Sequence, residues 1–181
     1  MAKVGINRDV KRPANVVIFS GEMHEDDLFR RMASMMSNVN SRDIRRGFPD
    51  TIEGRLQRRN AMQAVAELGD APIIFETGAR LSTVGLRRVV RRYLSEGKLD
   101  VLIIDSILQV DTGKSQAEQA KDWLKINDIM EDLEDIAQTY NIPIVLTAQL
   151  NRDGYGGKPT LKNLKRASTI VTGKQIGRAH V

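Results

Sequence analysis

Four short apolar runs dictate what this chain can become. They lie at residues 16–19, 72–75, 101–104 and 142–146, are rich in β-branched residues, and do not alternate with polar ones. Runs of that kind suit strands buried on both faces of a parallel sheet. Parallel strands cannot be joined by tight turns, so the chain between them must cross over, most simply as helix. The expected fold class is therefore α/β, a mostly parallel sheet between two helical layers.

The intervening stretches read as helices. Residues 25–38 open with Glu25, Asp26 and Asp27, acids that favour a helix N-terminus. Residues 54–68 carry Leu56, Val65 and Leu68 as their apolar positions. In the segment 81–97, Leu86, Val89, Val90, Tyr93 and Leu94 share one face, Arg87, Arg88, Arg91 and Arg92 the other, and Gly97 ends the helix. A longer helix over 118–140 places Trp123, Ile126, Met130, Leu133, Ala137 and Tyr140 at steps of three and four, with a solvated acidic face. Loops are expected at 111–116 and 151–160.

In open parallel sheets, ligands bind beyond the carboxyl ends of the strands. Glu22 follows the first strand, Asp105 ends the third, and Gln149, Asn151 and Arg152 follow the fourth. Two carboxylates and an amide at one edge suit metal-assisted phosphoryl transfer: one acid holds Mg²⁺ through water, another polarises the attacking water, and the amide senses the terminal phosphate. Singly, each has a structural reading. Asp105 could cap the next turn, Glu22 could favour the following helix, and Gln149 could bond loose backbone.

Two glycine-lysine segments are decoys. A phosphate-binding loop of the form G-x-x-x-x-G-K-[ST] ending in GKS at 113–115 would need glycine at the position of Leu108. The TGK at 172–174 fails at Ser168 and Gln175. Without that loop's N–H cradle and lysine, the chain by itself is expected to bind triphosphate weakly and to be inactive.

Composition narrows the rest. The absence of cysteine excludes disulfides, Cys-based zinc sites and thiol nucleophiles. His24 and His180 have no metal-site spacing. No apolar run approaches the ~18 residues that cross a bilayer, and residues 1–10 lack a signal core, so a soluble, cytoplasmic protein with no membrane partner is expected. Lys+Arg 28 against Asp+Glu 23 gives +5. The charge is polarised: residues 111–140 are acidic and 141–181 basic. A basic C-terminal quarter is a candidate phosphate or nucleic-acid surface, although four Phe, three Tyr and one Trp argue against a base-stacking platform.

Taken in order, FSGEM, APIIFETGARLSTVGLRRVVRRY, LDVLIIDSILQV and NIPIVLTAQLNR resemble the DnaB-type replicative helicases, hexameric enzymes with a RecA-like motor domain. The likeness runs from about Asn15 to about Ser168. It implies a three-layer RecA-like P-loop NTPase core, incomplete at both ends, that in its parent family uses ATP and Mg²⁺ to translocate on single-stranded DNA and unwind duplex. By the same resemblance Glu22 matches the catalytic glutamate, Asp105 the Walker B aspartate that holds Mg²⁺, and Gln149 the glutamine that couples the γ-phosphate to the DNA loops. Asp105, Gln149 and Arg152 would contact the nucleotide. Residues 113–115, including Lys114, match one central-channel loop. PTLKNLKRAS matches the other, with Lys165, Arg166 and Ser168 on the DNA backbone. The implied partners are single-stranded DNA, five further copies in a homo-hexamer, a primase and a helicase loader.

The chain departs from the family pattern. Gly21 stands where Leu is common, Ser106 where Tyr is common and Ala148 where Ser is common. Asn163 and Arg166 make the DNA loop more basic than usual. The family's P-loop strand should precede Val4, and its arginine finger should follow Ile170. Residues 1–170 are thus expected to be a partial motor domain and 171–181 a tail. IGRAHV at 176–181 resembles the translation of a sequencing adapter and is expected to be non-native. A RecA- or KaiC-like ATPase with another task, and a non-catalytic interaction module without a P-loop, stay open as alternatives.

Overall fold

The computed structural model describes residues 12–78, 81–111 and 122–148. Their elements are β1 (Val16–Ser20), α1 (Glu25–Ser37), α2 (Ser41–Arg46), α3 (Ile52–Gly69), β2 (Ile73–Thr77), β3 (Leu81–Ser82), α4 (Thr83–Ser95), β4 (Val101–Asp105), β5 (Val110–Asp111), α5 (Asp122–Tyr140) and β6 (Ile144–Leu146). A single 3-10 turn, Ile107–Gln109, separates β4 from β5. The four apolar runs all become strands of one sheet, ordered β2-β1-β4-β6. Every pairing in it is parallel.

That order explains the layers. The chain steps from β1 to β2 in one direction, then from β2 past β1 to β4 and on to β6 in the other. Right-handed crossovers put α1 to α3 on one face and α4 and α5 on the opposite face. On the second face Leu86, Val90 and Tyr93 of α4 and Ile129, Leu133 and Ile136 of α5 pack with Val17, Phe19, Leu102 and Ile104. On the first, α1 and α3 pack on one another and α1 reaches β2.

Three expectations need correction. Only the two inner strands are well covered; β2 is half-buried throughout, and Val145 in β6 is 49% exposed, because an edge strand has a sheet neighbour on one side only. Helix α3 buries Leu68 as expected but turns Leu56 and Val65 outward, burying Gly54, Ala61 and Ala64 instead. Gly54 lies against the Pro49 backbone, and the small residues of α3 suit its close packing on α1, so side-chain size, not hydrophobicity alone, selects the inner face. Finally, the arginine face of α4 and the acidic face of α5 are not merely solvated. Arg87 pairs with Asp135 at 2.6 Å, Thr83 donates to Asp132 at 2.6 Å, and Arg91 donates to the Tyr140 hydroxyl at 2.6 Å. The two helices are tied across their outer surface.

Local signals fix the helix ends as read. Ser82 caps α4 by accepting from the Gly85 N–H at 3.1 Å, and Gly97, at φ 66°, supplies the left-handed residue that follows it. His24 is the N-cap of α1, its side chain accepting from the Asp26 N–H. The two-residue β3–β5 ladder and the short α2 carry too little pattern to be read from sequence, and Asp111, expected in a loop, belongs to that ladder.

At the amino ends of the strands, Asp100 bonds Arg12 at 2.7 Å and the Asn15 N–H at 2.7 Å. The Arg12 guanidinium, then the Asn15 backbone, hold its carboxyl below the ordinary 3.8. A carboxylate depressed in the fold stabilises it above the unfolded value and loses that contribution as pH falls through the folded one. Urea midpoints measured from neutral pH downward should therefore drop less steeply below 3.8 in Asp100→Asn than in the parent.

Candidate nucleotide site

The sheet has one switch point. β1 and β4 are neighbours, yet the chain leaves β1 toward one face and β4 toward the other. A crevice opens between strands whose connections diverge in this way, at their carboxyl ends. Register sets what lies there: Ser20 is paired with Asp105, so Glu22 emerges two residues beyond the level of Asp105 on the adjoining strand.

The turn carrying Glu22 is held on several sides. Ser20 is fully buried, and its hydroxyl accepts from the Met23 N–H at 3.2 Å. Gly21 lies against the 3-10 turn after β4, where an added Cβ would sit 2.6 Å from Gln109 Cβ. Leucine, common at this position in the family it resembles, would not fit that approach. The Gln109 amide then donates to Glu22 Oε1 at 2.9 Å. Glu22 itself is exposed and also borders a polar cleft of about 440 Å³ between α1 and α2.

Asp105 is half-buried and follows the same logic from the other side. Thr147, the residue after β6, donates its hydroxyl to Asp105 Oδ1 at 2.6 Å. Its backbone is fixed by Thr147 N–H to Ile104 O at 3.0 Å and by Ile107 N–H to Thr147 O at 3.1 Å. The Asp105–Ser106 peptide is cis, and the buried Ser106 hydroxyl has no hydrogen-bond partner among the described residues.

The expected carboxylates, Glu22 and Asp105, thus share one edge. Gln149, Arg152, Lys114, Lys165, Arg166 and Ser168 lie outside the described residues, although Thr147 brings the chain to Asp105 two positions before Gln149. Sequence reasoning missed Gln109 and Thr147. Both stood inside the runs LIIDSILQV and LTAQLNR, but nothing in an apolar strand pattern singles out a glutamine four residues past an aspartate.

Among the described residues no group of three or more His, Cys, Asp or Glu could hold a metal ion. A lone carboxylate with a neighbouring hydroxyl does fit Mg²⁺, which keeps most of its waters and takes one or two carboxylates plus substrate phosphates. Among the described residues no helix is long and apolar enough to cross a membrane.

These features define a class, the α/β cores of RecA-like ATPase domains. A solved DnaB-like replicative helicase, described with its interactions with primase, superposes with a TM-score of 0.71 at 20% identity over 85% of this chain and 37% of that one. A solved ATPase domain gives the same score and identity over 85% and 54%. Within that class the chain belongs to the DnaB-like helicase C-terminal domain family, whose sequence pattern matches residues 1–172. The replicative DNA helicase DnaB of Rickettsia felis is 29% identical over 166 residues, 90% of this chain and 32% of that protein. That of Mycobacterium intracellulare is 25% identical over 165 residues, 89% and 27%. The chain therefore spans about a third or less of the length of these relatives.

The close approach at Gly21 makes a direct prediction. Gly21→Ala forces the two turns apart and should cost about 1–3 kcal/mol, as overpacking does elsewhere. Urea unfolding of the variant checks it, and a loss within experimental error would mean the turns are not in contact.

Proposed function

We propose that this chain is the central part of a replicative helicase motor, which couples ATP hydrolysis to movement along single-stranded DNA. The observation that carries the reading is the convergence of Glu22 and Asp105 at the switch point of a parallel sheet, in a chain of the DnaB-like family. Residues 1–170 form the motor portion and 171–181 a tail.

In this reading Glu22 takes the proton of the water that attacks the γ-phosphate. Asp105 would hold Mg²⁺ through water, and the Thr147 hydroxyl, donating to its Oδ1, orients the carboxylate. When bound, the metal neutralises charge on the phosphate oxygens. Gln149 and Arg152 contact the nucleotide. Lys114, Lys165, Arg166 and Ser168 meet the single-stranded backbone, where arginine and lysine act by neutralising phosphates. A homo-hexameric ring, a primase, a loader and a cytoplasmic setting belong to the same proposal. The ordered motif set favours it over a RecA- or KaiC-like ATPase with another task and over a non-catalytic module.

Two measurements test it. In a chimera that supplies a phosphate-binding loop of the form G-x-x-x-x-G-K-[ST], with its strand, ahead of residue 1, Glu22→Gln should lower ATP turnover by about a hundredfold or more while nucleotide binding persists. Equal loss of binding would make Glu22 structural. In the same chimera, Lys165→Ala and Arg166→Ala should each reduce the slope of log affinity for single-stranded DNA against log salt by roughly one. An unchanged slope in the double variant would remove both from the DNA path.

A further inference from the structure

Glu22 is exposed, and its turn leaves the end of β1. A general base needs its oxygen at one place, since small misplacements cost large factors in rate. We propose that Gln109 is a positioning residue that locks the Glu22 carboxylate in register with Asp105. This rests on the reading of Glu22 as the base that activates water.

The structure is built for it. Gln109 sits on the 3-10 turn that starts two residues after Asp105, and its N–H donates to Ser106 O at 2.9 Å. Ile107 and Val110, each 3% exposed, anchor the turn on either side in the core. The Gln109 backbone is thus fixed relative to Asp105. Its side chain then runs along the bare backbone of Gly21: an added Cβ there would lie 2.6, 2.9 and 3.4 Å from its Cβ, Cγ and Cδ. At the end of this path the amide donates to Glu22 Oε1 at 2.9 Å. An amide is suited to this task. It is a neutral donor with fixed geometry, so it orients the carboxylate without forming the ion pair that a lysine or arginine would impose. The three pieces, a bare residue before the base, a glutamine on the neighbouring turn and a turn tied to Asp105, together register one carboxylate to the other.

The first test uses the full 181-residue chain. In NMR spectra, the Gln109 side-chain NH₂ should exchange with solvent several-fold more slowly than those of exposed glutamines, and Glu22→Ala should abolish the protection. Fast exchange in the parent would overturn the proposal. The second uses the chimera described above. Gln109→Met keeps shape and removes the donor; it should lower kcat about tenfold with KM for ATP within twofold. Gln109→Glu, which sets a like charge against Glu22, should lower it further. Both should melt with the parent, which separates positioning from folding. In the Glu22→Gln background, where the base is gone, Gln109→Met should change turnover little. An undiminished tenfold effect there overturns the proposal and leaves the catalytic reading of Glu22 standing. Full turnover in Glu22→Gln alone overturns that reading and the positioning role with it.

Discussion

The pairing of β1 with β4 is the contact on which the rest depends. It joins two strands about 85 residues apart in sequence through a parallel register that levels Ser20 with Asp105. From that one alignment follow the depth of Glu22 relative to Asp105, the approach of Gly21 to Gln109, and the crevice where the two connections part. A slip of one residue would turn every side chain of β1 to the wrong face, moving Val17 and Phe19 out of the core they share with Leu102 and Ile104. The buried face therefore enforces the geometry of the polar edge.

Much of this was legible in the residues. Unalternated β-branched runs gave the strands, acids gave the start of α1 and Gly97 the end of α4, and the rule that ligands gather at strand ends pointed to Glu22 and Asp105. What escaped has physical reasons. Apart from Leu68, the inner face of α3 is alanine and glycine, which carry little hydrophobic signal; what packs on them, Pro49 on Gly54 and α1 on the helix, makes them the buried side. The ties between Arg87 and Asp135 and between Thr83 and Asp132 join helices far apart in sequence, so the acidic face of α5 read as solvated when taken alone. Gln109 and Thr147 were hidden for a related reason: their roles arise from which turn lies beside which, and spacing along the chain does not encode that.

The site also shows how a parallel sheet divides labour between its two ends. The amino edge is knitted by Asp100, Arg12 and Asn15 into a closed set of bonds. At the carboxyl edge, among the described residues, single bonds fix individual polar groups: Ser20 on Met23, Thr147 on Asp105, Gln109 on Glu22.

The same long-range register has a consequence for how the chain is made. β1 is made before either of its partners: the first, β2, ends at Thr77, and the second, β4, ends only at Asp105. Until both have emerged, an apolar strand waits with open hydrogen-bonding edges, and no local hairpin can shelter it. The nascent polypeptide must therefore carry this apolar segment without its full pairing while residues 20–105 are made, which makes the pace of translation across that stretch a determinant of how much of it folds.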